Sequence, residues 1–240
     1  MPNLVARRGV LVVAASLFSS TLAGCGLIDS DVANFDLTLP DKNFTIDATG
    51  WQVDQTAATT LTSTSCAQMP SVCMTAAEMA CPMDCTGRCG SSNTCELDLD
   101  VGLYQRIDLL AEKPELQSIN DEPVIKVSVD SVTYEVTLNT LNVATPEIKV
   151  YVAPMSVMEP DDPMAKHIGT IPAVAAGTTI TTPVAIMFTA TGKAELVDIM
   201  STFKTPFNLI VGSVLTVKDG TPVPSGRLDA VVHIKGHAGL

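Results

Sequence analysis

Between Glu96 and the C-terminus, apolar and polar residues alternate with a period of two in one segment after another. This rhythm constrains the fold more than any other feature of the chain. Leu97, Leu99, Val101 and Leu103 alternate with Glu96, Asp98, Asp100 and Gly102. Ile125, Val127 and Val129 alternate with Lys126, Ser128 and Asp130, and Val132, Tyr134, Val136 and Leu138 with Thr133, Glu135 and Thr137. The pattern returns at Ile148, Val150 and Val152, at Val184, Ile186 and Phe188, and at Leu228, Ala230, Val232 and Ile234. Successive side chains of a strand point to opposite faces, so each segment predicts a strand with one face in a core and one in water. Phe207 to Val217 is more continuously apolar, as expected of a strand covered on both faces.

Many short strands separated by Pro, Gly, Asn and Asp predict a mainly β protein, an antiparallel β-sandwich or barrel over 96–240. Upstream, Phe35, Leu37 and Leu39 alternate, Pro40-Asp41 supplies turn chemistry, and Phe44 and Ile46 alternate again. Residues 34–65 therefore read as two short strands followed by a Thr/Ser/Ala-rich connector over 56–65. One segment departs from the β rhythm. Leu196, Ile199, Met200 and Phe203 fall at helical spacing, which predicts one short helix near 193–204, limited by Pro206. The strand rhythm resembles that of immunoglobulin-like and late-embryogenesis-abundant type 2 β-sandwiches; the resemblance concerns fold and implies no activity.

Cysteine use divides the chain further. Six of the 7 cysteines, Cys66, Cys73, Cys81, Cys85, Cys89 and Cys95, lie in the window 66–95. An even number in so short a stretch predicts a disulfide framework in an oxidising compartment, with the pairing left open. The stretch is too small to bury a sufficient core without such staples. It also carries Met69, Met74, Met79 and Met83, and Thr75-Ala76-Ala77-Glu78 has the form of a helix start. A small insert with one or two short helices is expected. Paired C-x-x-C knuckles for zinc and a reactive C-x-x-C are both missing, so neither a metal nor redox catalysis is expected of the cluster.

The remaining cysteine, Cys25, sits in a different context. Arg7 and Arg8 precede the apolar run Gly9 to Phe18, and Leu22-Ala23-Gly24-Cys25 follows. A basic start, a short apolar segment and small residues before the cut are the parts of an export signal. The pattern resembles the type II signal and lipobox of bacterial lipoproteins. The resemblance implies removal of residues 1–24, lipidation of Cys25 and a short tether over 25–33. Gly26, rather than Asp, after the cysteine implies the outer membrane by the sorting pattern of diderm lipoproteins. Removal of residues 1–24 takes away two of the 14 basic residues and none of the 26 acidic ones, so the net charge moves from −12 to −14. Such an acidic balance argues against nucleic acid and against electrostatic attraction to anionic headgroups. The membrane is then a partner only through the acyl chains on Cys25, at roughly 0.8 kcal/mol per buried CH₂.

Other chemistry finds little purchase. Ser201-Thr202-Phe203-Lys204 has the S-x-x-K form of penicillin-binding proteins, but S-D-N and K-T-G elements are missing. His233 falls on the last predicted strand, facing outward beside Lys235, and His237 in a Gly-flanked tail. Asp98 and Asp100 are expected on the solvent face of a strand, and Glu159-Pro160-Asp161-Asp162 in a hydrated loop; either pair is a weak Ca²⁺ candidate. No catalytic residue, cofactor or metal is expected. The sequence predicts a non-catalytic, lipid-anchored envelope protein with a structural or binding role toward an envelope protein, or, alternatively, a carrier of lipid or another apolar ligand. A hydrolase built on Ser201 ranks behind both.

Overall fold

A computed structural model describes residues 35–83, 85–119 and 125–239. The signal, Cys25 and the tether lie outside the described residues. The strands, in chain order, are β1 (Phe35–Asp36), β2 (Lys42–Asp47), β3 (Cys85–Cys89), β4 (Cys95–Ile107), β5 (Lys126–Asn139), β6 (Ile148–Pro154), β7 (Lys166–Ile171), β8 (Ile180–Ala185), β9 (Met187–Phe188), β10 (Phe207–Val217) and β11 (Arg227–Gly239). The α-helices among the described residues are α1 (Gln55–Ser63), α2 (Val72–Ala80), the single turn α3 (Leu109–Glu112) and α4 (Gly192–Ser201).

Two antiparallel sheets enclose the core, as the alternation predicted. One runs β1-β11-β5-β8, with β2 also on β11; the other runs β3-β4-β10-β6-β7-β9. Leu97, Leu99, Val150 and Leu209 from the second sheet meet Val129, Val132, Val136 and Ile234 from the first in one buried cluster. At roughly 25 cal/mol per Å² of apolar surface removed from water, this interface is the main favourable term in folding. The inner half of β10, Phe207 to Gly212, is buried on both faces. Its second face meets a small cluster of Ala153, Val157 and Ile210, formed where the chain after β6 folds back over the sheet. Asn208 is held in that cover by donating to the Met155 and Val157 carbonyls.

Several strands join segments that the sequence presents separately. The apolar phase of residues 125–139 changes parity after Val129, yet the whole stretch is one strand. Its ladder with β11 passes from Gly236↔Val129 to Lys235↔Ser131, leaving Asp130 as an extra residue. A bulge of this kind reverses the facing of the residues after it, up to a second extra residue at Thr137. Val127 and Val129 before it, and Val132, Tyr134 and Val136 after it, therefore all point inward. Pro40-Asp41 likewise is no hairpin turn. Phe35↔Ala238 and Lys42↔Val232 place β1 and β2 on the same edge of β11, running in the same direction with a one-residue offset. Proline has no N–H for the ladder, so an edge strand breaks there and resumes.

Other expectations need correction. Residues 55–63 form α1 and not a connector. Asp54 caps it by accepting from Ala57 N, and Thr59 and Thr60 return their hydroxyls to the carbonyls four residues back. Threonine's low helix propensity hid this helix; its buried Ala58 and Leu61 hold it in place. The second helix begins at Val72, so Thr75 and Glu78 lie inside it and form no capping box. Val184 and Phe188 belong to different sheets: β8 pairs with β5 and β9 with β7, and the chain crosses over at buried Ile186. Val184 is 41% exposed, outside the core its alternation suggested. The helix near 193–204 is present as α4, with Leu196, Met200 and Phe203 fully buried.

Candidate functional site

The cysteine-rich stretch closes one end of the second sheet. Residues Cys66 to Cys95 contain α2 and β3, and β3 pairs along β4 from Cys85↔Leu99 to Cys89↔Cys95. Three disulfides tie the stretch together: Cys66–Cys89, Cys73–Cys95 and Cys81–Cys85. Cys89 and Cys95 face each other across two strands but are not joined. Each instead reaches into the helical layer, Cys89 to the link after α1 and Cys95 to the first turn of α2. The Sγ atoms of Cys66, Cys73 and Cys95 lie within 4.8 Å of one another because two disulfides stand side by side. Sulfur engaged in a disulfide has no thiolate to offer a metal.

α2 packs directly on β3. A side chain at Gly87 would run into the Cys73 carbonyl and Ala77, so the close approach requires glycine at that position. Beside this contact opens a cleft of about 530 Å³, lined by Met74, Ala77 and Glu78 of α2, Cys81, Met83 and Gly87. Its floor is rigid, since α2 is fixed at one end by Cys73–Cys95 and at the other by Cys81–Cys85. Its rim is not apolar core. Met69, Met74, Met79 and Met83 are all more than half exposed, and Met155, Met158, Met164 and Met187 are exposed elsewhere on the surface. Of the nine described methionines only Met200 is buried.

Across β3 and β4 the charges are organised. Arg88 Nε donates to Asp98 Oδ2 at 2.5 Å, and its Nη2 pairs with Glu96 Oε2 at 2.5 Å. Lys218 approaches Glu96 at 3.6 Å, and Thr216 donates to Asp98 at 2.6 Å. The hydrogen bond to Asp98, with the charges of Asp98 and Glu96, holds the Arg88 guanidinium above its ordinary pKa against the opposing effect of burial. Asp98 therefore does not face water as its alternation with Leu99 implied. Both it and Glu96 are buried under this cation.

The remaining candidates do not converge. Ser201 donates its hydroxyl to Val197 O within α4, and Lys204 lies over the Phe203 ring. His233, expected to face solvent, is largely covered: Nδ1 lies 2.7 Å from Asp41 and Nε2 3.8 Å from Glu135. His237 pairs with Asp130 at 2.8 Å. In the acidic loop, Asp162 accepts from Met164 N, and Glu159 borders a cleft of about 360 Å³ with Asp47, Trp51 and Asp100. Trp51 occupies a core position and donates to Asp100 O. Among the described residues, no three acidic or histidine side chains gather as a metal site would need.

The sequence singles out the methionines of the insert but not that Met74 and Met83 line one cleft. Met74 and Glu78 share one helix face because α2 begins at Val72 and not at Thr75, where the sequence placed its start. Met83 reaches the same cleft only through the short Cys81–Cys85 loop, which no local pattern announces. No protein-family profile matches the chain, and no curated protein or solved structure matches it either.

Proposed function

We propose that this is an exported lipoprotein, lipidated on Cys25 and held at the outer membrane, whose β-sandwich has a non-catalytic binding role. The observation that carries the reading is the set of three disulfides, which persist in oxidising compartments and fit an exported chain. The signal-like residues before Cys25 supply the route and the anchor. A binding role is favoured over catalysis because the exposed methionines and the Met74–Met83 cleft offer contact surface, while Ser201, Lys204 and the histidines have other partners.

Fractionation of envelopes tests the anchor. The native chain is expected in the membrane fraction and Cys25→Ser in the soluble one; normal membrane partitioning of Cys25→Ser would refute lipidation there. Capture of the acylated protein from intact envelopes, read by mass spectrometry for proteins and lipids, tests the role. A stoichiometric protein partner supports binding of an envelope protein. A stoichiometric lipid held after the acyl anchor is accounted for would overturn that reading in favour of a carrier.

A further inference from the structure

We propose that the cleft between α2 and β3 is a binding site for a soft monovalent metal ion, Cu(I), held by the thioethers of Met74 and Met83 with the Glu78 carboxylate as charge partner. The inference goes beyond the lipoprotein reading and does not depend on lipidation. Methionine is ordinarily a filler of core gaps, and Met200, fully buried, plays that part here. The other eight described methionines are 45–70% exposed. Met74 and Met83 stand apart from the rest of these because they come from two different segments and line one cleft, together with Glu78.

Donor chemistry selects the ion. Thioether sulfur is a soft ligand that favours Cu(I) over calcium, magnesium or zinc. All six cysteines of the module are locked in disulfides, so thioethers are the soft donors that remain. They carry no proton to lose, and binding through them needs neither reduction of the protein nor deprotonation of a ligand. Met74 and Glu78 are four residues apart on α2 and project from the same helical face. Two neutral thioethers and one carboxylate around a univalent cation leave no net charge at the site. The base of the cleft is fixed by Cys81–Cys85 and by the close contact of Gly87 with α2, while the unbranched methionine side chains have the freedom to close on the ion.

The test uses the purified full-length mature protein, disulfides intact, with methyl-¹³C methionine. Ag(I) serves as a diamagnetic probe in methyl spectra, and Cu(I) is titrated against a bicinchoninate competitor. The expected result is one saturable equivalent of either ion, with the Met74 and Met83 methyl signals moving and that of Met200 unchanged. Met74→Leu and Met83→Leu are each expected to abolish the one-equivalent step, whereas Met69→Leu and Met79→Leu retain it. The unshifted Met200 signal shows in the same spectra that each variant is folded, and Met83→Leu changes a residue outside any helix or strand. Undiminished Cu(I) retention by Met74→Leu or Met83→Leu would overturn the proposal. So would parallel movement of all eight exposed methionine signals, or an equal response to Zn(II).

Discussion

The three disulfides close loops of very different length, which allows their contributions to be separated. Cys66–Cys89 spans 23 residues of sequence and Cys81–Cys85 only 4. A cross-link restricts the unfolded chain by an entropy that grows with the logarithm of loop length, which gives about 3.4 kcal/mol for the long loop and about 1.9 kcal/mol for the short one at 25 °C. Replacing each pair with alanine removes one sulfur from each residue, and this cavity term adds to both variants alike. The difference, about 1.5 kcal/mol, is the quantity predicted. Cys66→Ala/Cys89→Ala is expected to be the less stable double variant, by about that difference. Both should still fold, because a domain stability of roughly 5–15 kcal/mol exceeds either loss. Urea unfolding without reductant, followed through the fluorescence of Trp51, the single tryptophan, measures both. Equal losses, or a greater loss for the short loop, would refute the loop-entropy argument. Because its loop interleaves with that of Cys66–Cys89, Cys73–Cys95 while intact already restricts part of the same chain, so the two bridges removed together should cost more than the sum of the two single removals.

Further outcomes follow from local geometry. Arg88→Met leaves Glu96 and Asp98 buried without their shared cation; we expect a loss of about 2–3 kcal/mol, below the range for a fully buried pair because Arg88 is half exposed. Adding Glu96→Gln and Asp98→Asn to that variant should recover most of the loss, as read by urea unfolding. Gly87→Ala drives a methyl group into the Cys73 carbonyl and should destabilise by roughly 1–3 kcal/mol, lowering the melting temperature by roughly 3–10 °C. The hydroxyl and amide of Thr38 hold Asp36 below the ordinary carboxylate range, and those of Thr49 do the same for Asp47. A lowered folded-state pKa means stabilisation that is present above the unfolded value, near 3.9, and is lost as pH falls through the folded one. Carboxyl ¹³C titration below about pH 4 should show both acids titrating late. Thr38→Val and Thr49→Val should move their respective partners back upward.

Period-two alternation made most of the sandwich legible, and the reason lies in burial on one face. β4, β6 and β11 each carry their apolar residues at every second position over a core shared by both sheets. Where covering is two-sided or absent, the signal weakens. β7 begins with exposed Lys166 and runs into the buried Ile168-Gly169-Thr170-Ile171, with no alternation to announce it. β8 is an exposed edge whose order comes from pairing with β5. The bulge at Asp130 appears in sequence as a change of parity, which is equally the mark of two strands. Only the partner strand decides between them, because the extra residue is defined by what it fails to pair with.

The same distinction governs the site. Cysteine count and context were enough to predict disulfides, since pairing in an oxidising compartment is a property of the set. Which cysteine meets which is a property of the fold: β3 turning back along β4 brings Cys89 and Cys95 side by side, and α2 packing on Gly87 offers each a different partner. The acidic side of β4 shows how a locally correct rule misleads. Glu96 and Asp98 alternate with Leu97 and Leu99 and read as a solvent face, yet strand neighbours supply Arg88 from one side and Lys218 and Thr216 from the other. Arg88 lies opposite Glu96, and Thr216 opposite Asp98, in the ladders that flank β4. Their burial is thus a consequence of register. A single-residue slip of β3 would remove Arg88 from between the two carboxylates and leave both charges uncompensated, which makes the ion pairs a lock on the register that also positions Gly87 against α2 and fixes the floor of the methionine cleft.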